Sequence, residues 1–164
     1  MKRTPYLTPL SWEHHSALVN ANRIKRGLAN QADLNTIQEF IEYIWKHDLR
    51  PHFNREENIL LNRPEAGRIP PAIKERTLNE HEEFNELFRQ IVASVTPDDK
   101  KNLFSRFSDL LIAHVRFEEG EFFPAVEEKF PEDVLEIAGR QIKEQHVPAC
   151  FTWDPPFWER STTG

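Results

Sequence analysis

Residues 114–124 read His-Val-Arg-Phe-Glu-Glu-Gly-Glu-Phe-Phe-Pro, and residues 52–60 read His-Phe-Asn-Arg-Glu-Glu-Asn-Ile-Leu. Both are HxxxEE blocks with an apolar pair close behind. In a helix, positions i and i+4 share a face one turn apart. His52 therefore stands with Glu56, and His114 with Glu118. Moving back from His114 by threes and fours reaches Leu111 or Leu110, Phe107 and Leu103. That row is apolar, so the face carrying His114 and Glu118 points into a core.

The chain around these blocks reads as helices throughout. It has only five glycines and little of the β-branched alternation of strands. A first helix is predicted over 9–27, with Thr8 as cap before Pro9, Ser11 as a rival cap, and an apolar stripe of Leu18, Ala21, Ile24 and Leu28. A second spans 33–61, capped by Asp33. Pro51 sits inside it and removes a hydrogen bond to residue 47, which predicts a kink or break near 47–49. NRPEAGRIPP, 62–71, is a loop rich in breakers. A third helix covers 71–94 on Ile73, Leu78, Phe84, Leu87, Phe88, Ile91 and Val95. Thr96-Pro97-Asp98-Asp99 is a cap, a proline start and two first-turn acids, so a fourth helix begins there. It runs to 120 or 123, where Pro124 limits or kinks it. A shorter helix is expected over 131–146. Four long helices with short connections read as an up-down antiparallel four-helix bundle. The domain division is a bundle with its short fifth helix over 1–146, and a proline- and aromatic-rich tail over 147–164.

The composition narrows the partners. Lys+Arg 21 against Asp+Glu 27 gives a net charge of −6, which offers phosphate backbones no general attraction. One cysteine excludes a disulfide framework and a cysteine-rich zinc module. No apolar run reaches membrane-spanning length, and MKRTPYLTPL lacks the apolar stretch of a signal peptide. The expectation is a soluble, cytoplasmic protein with neither nucleic acid nor membrane as partner. Its unusual feature is seven histidines.

The other two long helices each place a histidine on the apolar seam. These are His14, with His15 one position away as a rival, and His81. The order is thus His14, then His52 and Glu56; His81, then His114 and Glu118. Such a near-repeat suggests two facing helical hairpins, each giving two imidazoles and one carboxylate. Four imidazoles and two carboxylates inside a bundle are costly unless compensated. Two metal ions bridged by Glu56 and Glu118 would compensate them. A nitrogen and oxygen set without thiolate favours iron over manganese or zinc. Open positions would remain for solvent, an oxo or hydroxo bridge, or a small diatomic ligand. His47 and His146 read as surface or capping residues, with His47, just before the Pro51 disruption, open to facing the site's mouth, and Glu57 and Glu119 as solvated neighbours. Trp45, Phe53, Phe84, Phe88, Phe107 and Phe117 read as core packing.

The motifs EHH at 13–15, HFNREENIL from His52, NEH at 79–81 and HVRFEEGEFFP from His114 resemble the hemerythrin-like family, the domains named for their His-His-Glu cation-binding motifs. The resemblance covers about residues 10–128. It implies a four-helix bundle around a non-haem di-iron centre, with functions in oxygen binding, oxygen or redox sensing, nitric-oxide response or iron handling. Carried over, His14 and His52 would hold one iron, His81 and His114 the other, and Glu56 and Glu118 would bridge. The sequence departs from the oxygen carriers of the family. Their third helix gives two histidines one turn apart, where this chain has Thr77 and Asn85 flanking His81. Their last bridge is an aspartate five residues after the histidine, where Glu118 comes four after. This shifts the expectation from a carrier towards a sensor, reductase-like or metal-handling protein. The other functions open to the sequence are a di-iron oxidase or peroxidase, and a metal-dependent regulator or scaffold. For the last, Phe151, Trp153, Phe157 and Trp158 would form a docking strip for a homodimer or protein partner, or else cover the bundle's open end.

Overall fold

A computed structural model describes residues 3–146, 148 and 152–160; the tail aromatic Phe151 lies outside the described residues. Among the described residues seven α-helices occur: α1 Thr8–Ala29, α2 Leu34–Ile44, α3 Arg50–Arg55, α4 Pro71–Ala93, α5 Pro97–Phe117, α6 Phe123–Lys129 and α7 Glu132–Gln145. Those residues include no strand, and no helix is long and apolar enough to cross a membrane. The up-down bundle expected from the sequence is present. α1 lies along α5, α4 packs on α5, and α2 closes against α1, α4 and α5.

The prolines disturb their helices through a specific device. A π-helical turn, Trp45–Leu49, joins α2 to α3. The wider i+5 bonding lets Arg50 N–H donate to Trp45 C=O, so the donor that Pro51 lacks is absorbed without ending the helix. A second π-turn, Glu118–Phe122, joins α5 to α6 just ahead of Pro124. The fourth long helix therefore continues past Pro124 to Lys129 instead of stopping at it. A third π-turn, Glu56–Leu61, closes the second long helix. Two of these three π-turns begin at the glutamate of an HxxxEE block.

Two expected caps form. Asp33 accepts from Thr36 N–H at 2.9 Å, and Thr96 from Asp99 N–H at 3.1 Å. The first helix starts one residue earlier than expected, and neither Thr8 nor Ser11 caps it. Thr8 lies inside α1 and donates its hydroxyl to Thr4 C=O at 2.8 Å; Ser11 donates to Glu119 at 3.1 Å. On α4 the buried row is Thr77, His81, Phe84, Leu87 and Ile91. Leu78 is 36% and Val95 83% exposed, so neither belongs to the core. A row through His81 and Phe84 is continued one turn back by Thr77, which turns Leu78 about 100° away.

The apolar core is divided in two. One part holds Ile24, Phe40, Ile44, Trp45, Phe84 and Phe107. The other holds Leu10, Leu60, Phe122, Phe123, Leu135 and Ile142. A polar layer lies between them, made of one buried histidine from every long helix with Glu56 and Glu118, for example His14 between Leu10 and Ala17. The tail packs on the bundle. Phe157 is buried against Phe40, with ring centres 5.1 Å apart, and enters a notch at Gly27. A Cβ at residue 27 would lie 2.6 Å from the Phe157 ring, so glycine makes that approach possible. Trp153 meets Phe40 and Tyr43, and Trp158 lies under the Arg23 guanidinium. These described aromatics cover the bundle's own surface instead of forming a free strip.

Candidate metal centre

Each of the four long helices brings its seam histidine to the polar layer. His14, His52, His81 and His114 are buried, as are Glu56 and Glu118, which have no exposed surface at all. His15 faces away and is exposed. The π-turns that begin at Glu56 and Glu118 come directly after the turns carrying His52 and His114, so each histidine and glutamate stay one turn apart on the same face.

All four imidazoles aim Nε2 inward. His14 Nε2 and His114 Nε2 each stand 3.0 Å from Glu118 Oε1. His52 Nε2 stands 3.3 Å from Glu56 Oε2, and His81 Nε2 3.2 Å from Glu56 Oε1. Glu56 thus offers one oxygen to each side. Glu118 turns Oε2 towards His81 at 3.9 Å. Two overlapping groups result, His14, His52, Glu56 and Glu118, then Glu56, His81, His114 and Glu118. Within each group the ligand atoms lie within 4.8 Å of one another.

The donor atoms are those a cation pair would need. Both Glu56 oxygens, Glu118 Oε2, His81 Nε2 and His114 Nε2 are buried without a hydrogen bond. Unpaired polar atoms at such density are expensive in a protein interior unless a cation meets them. Two ions sharing Glu56 and Glu118 fit the set, and nitrogen with carboxylate oxygen suits iron, manganese or zinc.

The metal-free chain meets the same need with protons. Burial alone would lower each imidazole. For His52, the Glu56 charge and the bonds to Glu118 and Glu13 overcome burial and hold it well above its usual value. For His114, burial is overcome by Glu118, with help from Glu80, and the group is pushed up to about 10. His81 is raised against burial by Glu56 and Glu57. Glu118 is held far below the usual carboxylate range, because His114, His14 and His52 outweigh its own burial.

Sequence reasoning missed the carboxylates behind the imidazoles. His52 Nδ1 donates to Glu13 Oε1 at 2.7 Å, and His114 Nδ1 to Glu80 Oε1 at 2.8 Å. Glu57 and Glu119, expected to be solvated, are partly exposed, and each also turns towards an imidazole. His81 Nδ1 donates to Glu57 at 3.3 Å, and His14 Nδ1 lies 3.7 Å from Glu119. Arg55 is buried and donates to Glu13, as does His146 Nδ1 at 2.6 Å. His146 therefore does more than cap α7. The available signal was adjacency, since each of these acids is next in sequence to a seam residue: Glu13-His14, Glu56-Glu57, Glu80-His81 and Glu118-Glu119.

A cavity of about 110 Å³ adjoins the cluster. It touches His14, His52 and His114 but not His81, and its walls include Ala17, Asn20, Asp48 and Leu111. His47, exposed and packed on Tyr43 at 4.4 Å, stands on its lining. The Asp48 Oδ2 atom is buried without a partner, and burial pushes the Asp48 carboxyl up. Aromatic rings fix the imidazoles. Phe123 stacks on His14 at 5.0 Å, and Phe53 on His81 at 4.3 Å.

Comparison with known families matches residues 10–126 to the hemerythrin HHE cation-binding domain. Neither the curated proteins nor the solved structures yield a match. The matched segment runs from the first turn of α1 into α6 and takes in every histidine and glutamate of the buried layer. With the family matched over most of its length, the chain belongs to the hemerythrin HHE cation-binding domain family.

Proposed function

We propose that the protein holds a pair of non-haem iron ions on His14, His52, Glu56, His81, His114 and Glu118, and that it binds or senses dioxygen or nitric oxide, or handles iron. The observation that carries the small-ligand reading is the cavity. At about 110 Å³ it has room for a diatomic molecule or a few waters, and it reaches the cluster directly at His14 and His52. Iron in such a pair supplies coordination positions and electrons for a diatomic ligand. The chain supplies the rest. Glu56 and Glu118 span the two halves, and Phe53, Phe84 and Phe123 keep bulk water from the imidazoles.

Protein purified in air after growth in iron-rich medium should contain about two irons per chain. It should show oxo-bridge absorption. Reduced protein should give a difference spectrum with oxygen or nitric oxide. Iron-free protein after such growth would overturn the metal pair, and an iron-loaded protein silent to both gases would overturn the small-ligand reading and leave iron handling.

An oxidase- or peroxidase-type reaction is the second reading, and Asp48 favours it. A carboxyl on the cavity wall with one buried, unpartnered oxygen is placed to relay a proton to a reduced oxygen species. Peroxide turnover with a reductant, lost in Asp48→Asn at unchanged iron content, would establish it; no turnover would exclude it.

A further inference from the structure

Behind the six inward-facing residues lies a second set of four carboxylates, and their connectivity is cyclic. Glu13, beside His14 on α1, accepts from His52 on α3. Glu57, beside Glu56 after α3, accepts from His81 on α4. Glu80, beside His81 on α4, accepts from His114 on α5. Glu119, beside Glu118 after α5, faces His14 on α1 and closes the circuit. Each acid thus sits next to one ligand candidate in sequence and reaches the imidazole of the next helix. The four helices are linked in one direction around the centre.

We infer that Glu13, Glu57, Glu80 and Glu119 form a ring of positioning residues that aims three imidazoles at the metal pair through Nδ1 hydrogen bonds, sets a carboxylate within ion-pair range of the fourth, His14, and biases the site towards its higher charge state. This rests on the metal-pair reading above.

An imidazole donating from Nδ1 to a carboxylate presents its Nε2 lone pair inward, in a fixed orientation and with greater basicity. The carboxylates also add negative charge one shell out from the ions. That charge is tempered unevenly. Arg55 donates to Glu13, Arg76 to Glu80 at 2.7 Å, and Arg3 to Glu119 at 3.0 Å. Glu57 pairs only with His81 among the described residues. The arginines hold three of the acids in place, so the ring does not depend on the imidazoles alone for its geometry.

The distances rank the members. Glu13 and Glu80 make the short bonds and are the least exposed, at 10% and 12% of the side chain. Glu57 is longer and 38% exposed. Glu119, at 3.7 Å, is within ion-pair range only.

The test compares Glu13→Gln, Glu13→Ala, Glu80→Gln and Glu119→Gln with the parent chain and with Glu86→Gln. Glu86 is exposed on α4, pairs with Arg89 and Gln90 on its own helix, and controls for charge alone. Anaerobic ferrous-iron affinity is read by chelator competition, alongside the reduction potential of the iron pair and the melting temperature of the metal-free protein. Affinity should fall about 10- to 100-fold in Glu13→Ala. Glu13→Gln should recover part of it, because the amide oxygen still accepts from Nδ1. Glu80→Gln should resemble Glu13→Gln, and Glu119→Gln should show the smallest change. In the Gln variants the potential should rise, since less negative charge surrounds the oxidised pair. Parent-like affinity and potential in Glu13→Ala and Glu80→Gln would overturn the ring. So would an equal shift in Glu86→Gln, or a lowered metal-free melting temperature with affinity unchanged. Failure of the parent chain itself to bind iron would overturn the metal-pair reading instead.

Discussion

Both histidines of one half of the centre, His14 and His52, open on a cavity, whereas in the other half His114 touches it and His81 does not. The two halves are built on the same near-repeat, so the difference lies in the residue one turn beyond each histidine. Three residues after His14 stands Ala17, which lines the cavity; three residues after His81 stands Phe84, a larger, fully buried side chain that meets His114 at 5.5 Å. The side-chain size at this repeated helical position differs between His14, which meets the cavity, and the closed side at His81, where only His114 of that half reaches it. The halves share the pair of glutamates, and the experiments sort by whether they strike the shared part or the difference.

The largest effect is expected where nothing distinguishes the halves. Glu118 approaches two of the four imidazoles, His14 and His114, at 3.0 Å and lies 3.9 Å from each of the other two, His52 and His81. Glu118→Ala should take iron content from two per chain to nearly none, and should cost the metal-free bundle about 3–5 kcal/mol, the range for breaking a buried charge pair. Metal analysis and denaturant unfolding report the two results. Retention of one iron would mean that the halves are independent, contrary to the sharing of Glu118.

Next comes the change that would make the closed side at His81 resemble the open side at His14. Phe84→Ala should cost about 3–5 kcal/mol for the lost packing and the void. If size alone closes that side, the variant should gain a second route to the centre and faster nitric-oxide binding, read by stopped-flow absorbance. A destabilised variant with parent-like kinetics would show that some other residue does the closing.

Acidity should not separate the halves, because raised imidazoles stand in both. His114 is pushed up to about 10 from an ordinary 6.5. A raised folded value means that the stabilisation is fully present below 6.5 and is lost as pH climbs through 10. Metal-free protein should therefore melt at progressively lower temperature over that window. Iron, which must displace those protons, should raise the melting temperature more at about pH 8 than at about pH 6. At the acid end, Glu13 is held down at about 2, since His52, Arg55 and His146 outweigh its burial. Its contribution is present above 4.5 and disappears as pH falls towards 2. Thermal scans with and without iron check both limbs.

The shared glutamates and the contrast between the halves differ in how far the sequence discloses them. The bundle and the inward HxxxE faces are legible because i,i+4 spacing is local geometry. His52 with Glu56 and His114 with Glu118 need nothing from the rest of the chain. Choosing between His14 and His15, or between Thr77 and Leu78 as the buried step on α4, requires the helix rotation that only packing sets. Pro51 and Pro124 announce a disturbed helix but not its form, because a kink, a stop and a π-turn all accommodate a missing donor. The outer carboxylates are the least visible. Glu57 and Glu119 lie about 100° around the helix from Glu56 and Glu118, a position that looks solvated until the neighbouring helix is placed against it. Ala17 and Phe84 are plain in the sequence as residue types, but their contrast acquires meaning only when both histidines meet in one layer.

The smallest effect belongs to a pair of substitutions that test this contrast without removing any polar partner of the centre. Ala17→Leu adds side-chain volume on the cavity wall. The parent has space there, so the overpacking penalty of about 1–3 kcal/mol for a filled core should be at its lower end. Iron content should stay at the parent level, since Ala17 contributes no ligand atom. The affinity for nitric oxide or oxygen should fall several-fold as the cavity of about 110 Å³ is reduced. Thr77→Val is the counterpart on the closed side. Thr77 is buried, but its hydroxyl donates to Ile73 C=O at 2.9 Å within its own helix, so replacing it leaves no inter-helix group unpaired. Iron content and ligand affinity should both remain at parent values. An Ala17→Leu variant that binds the gases like the parent would place ligand entry elsewhere. A Thr77→Val variant that weakens them would move the open position to the His81 half and reverse the comparison.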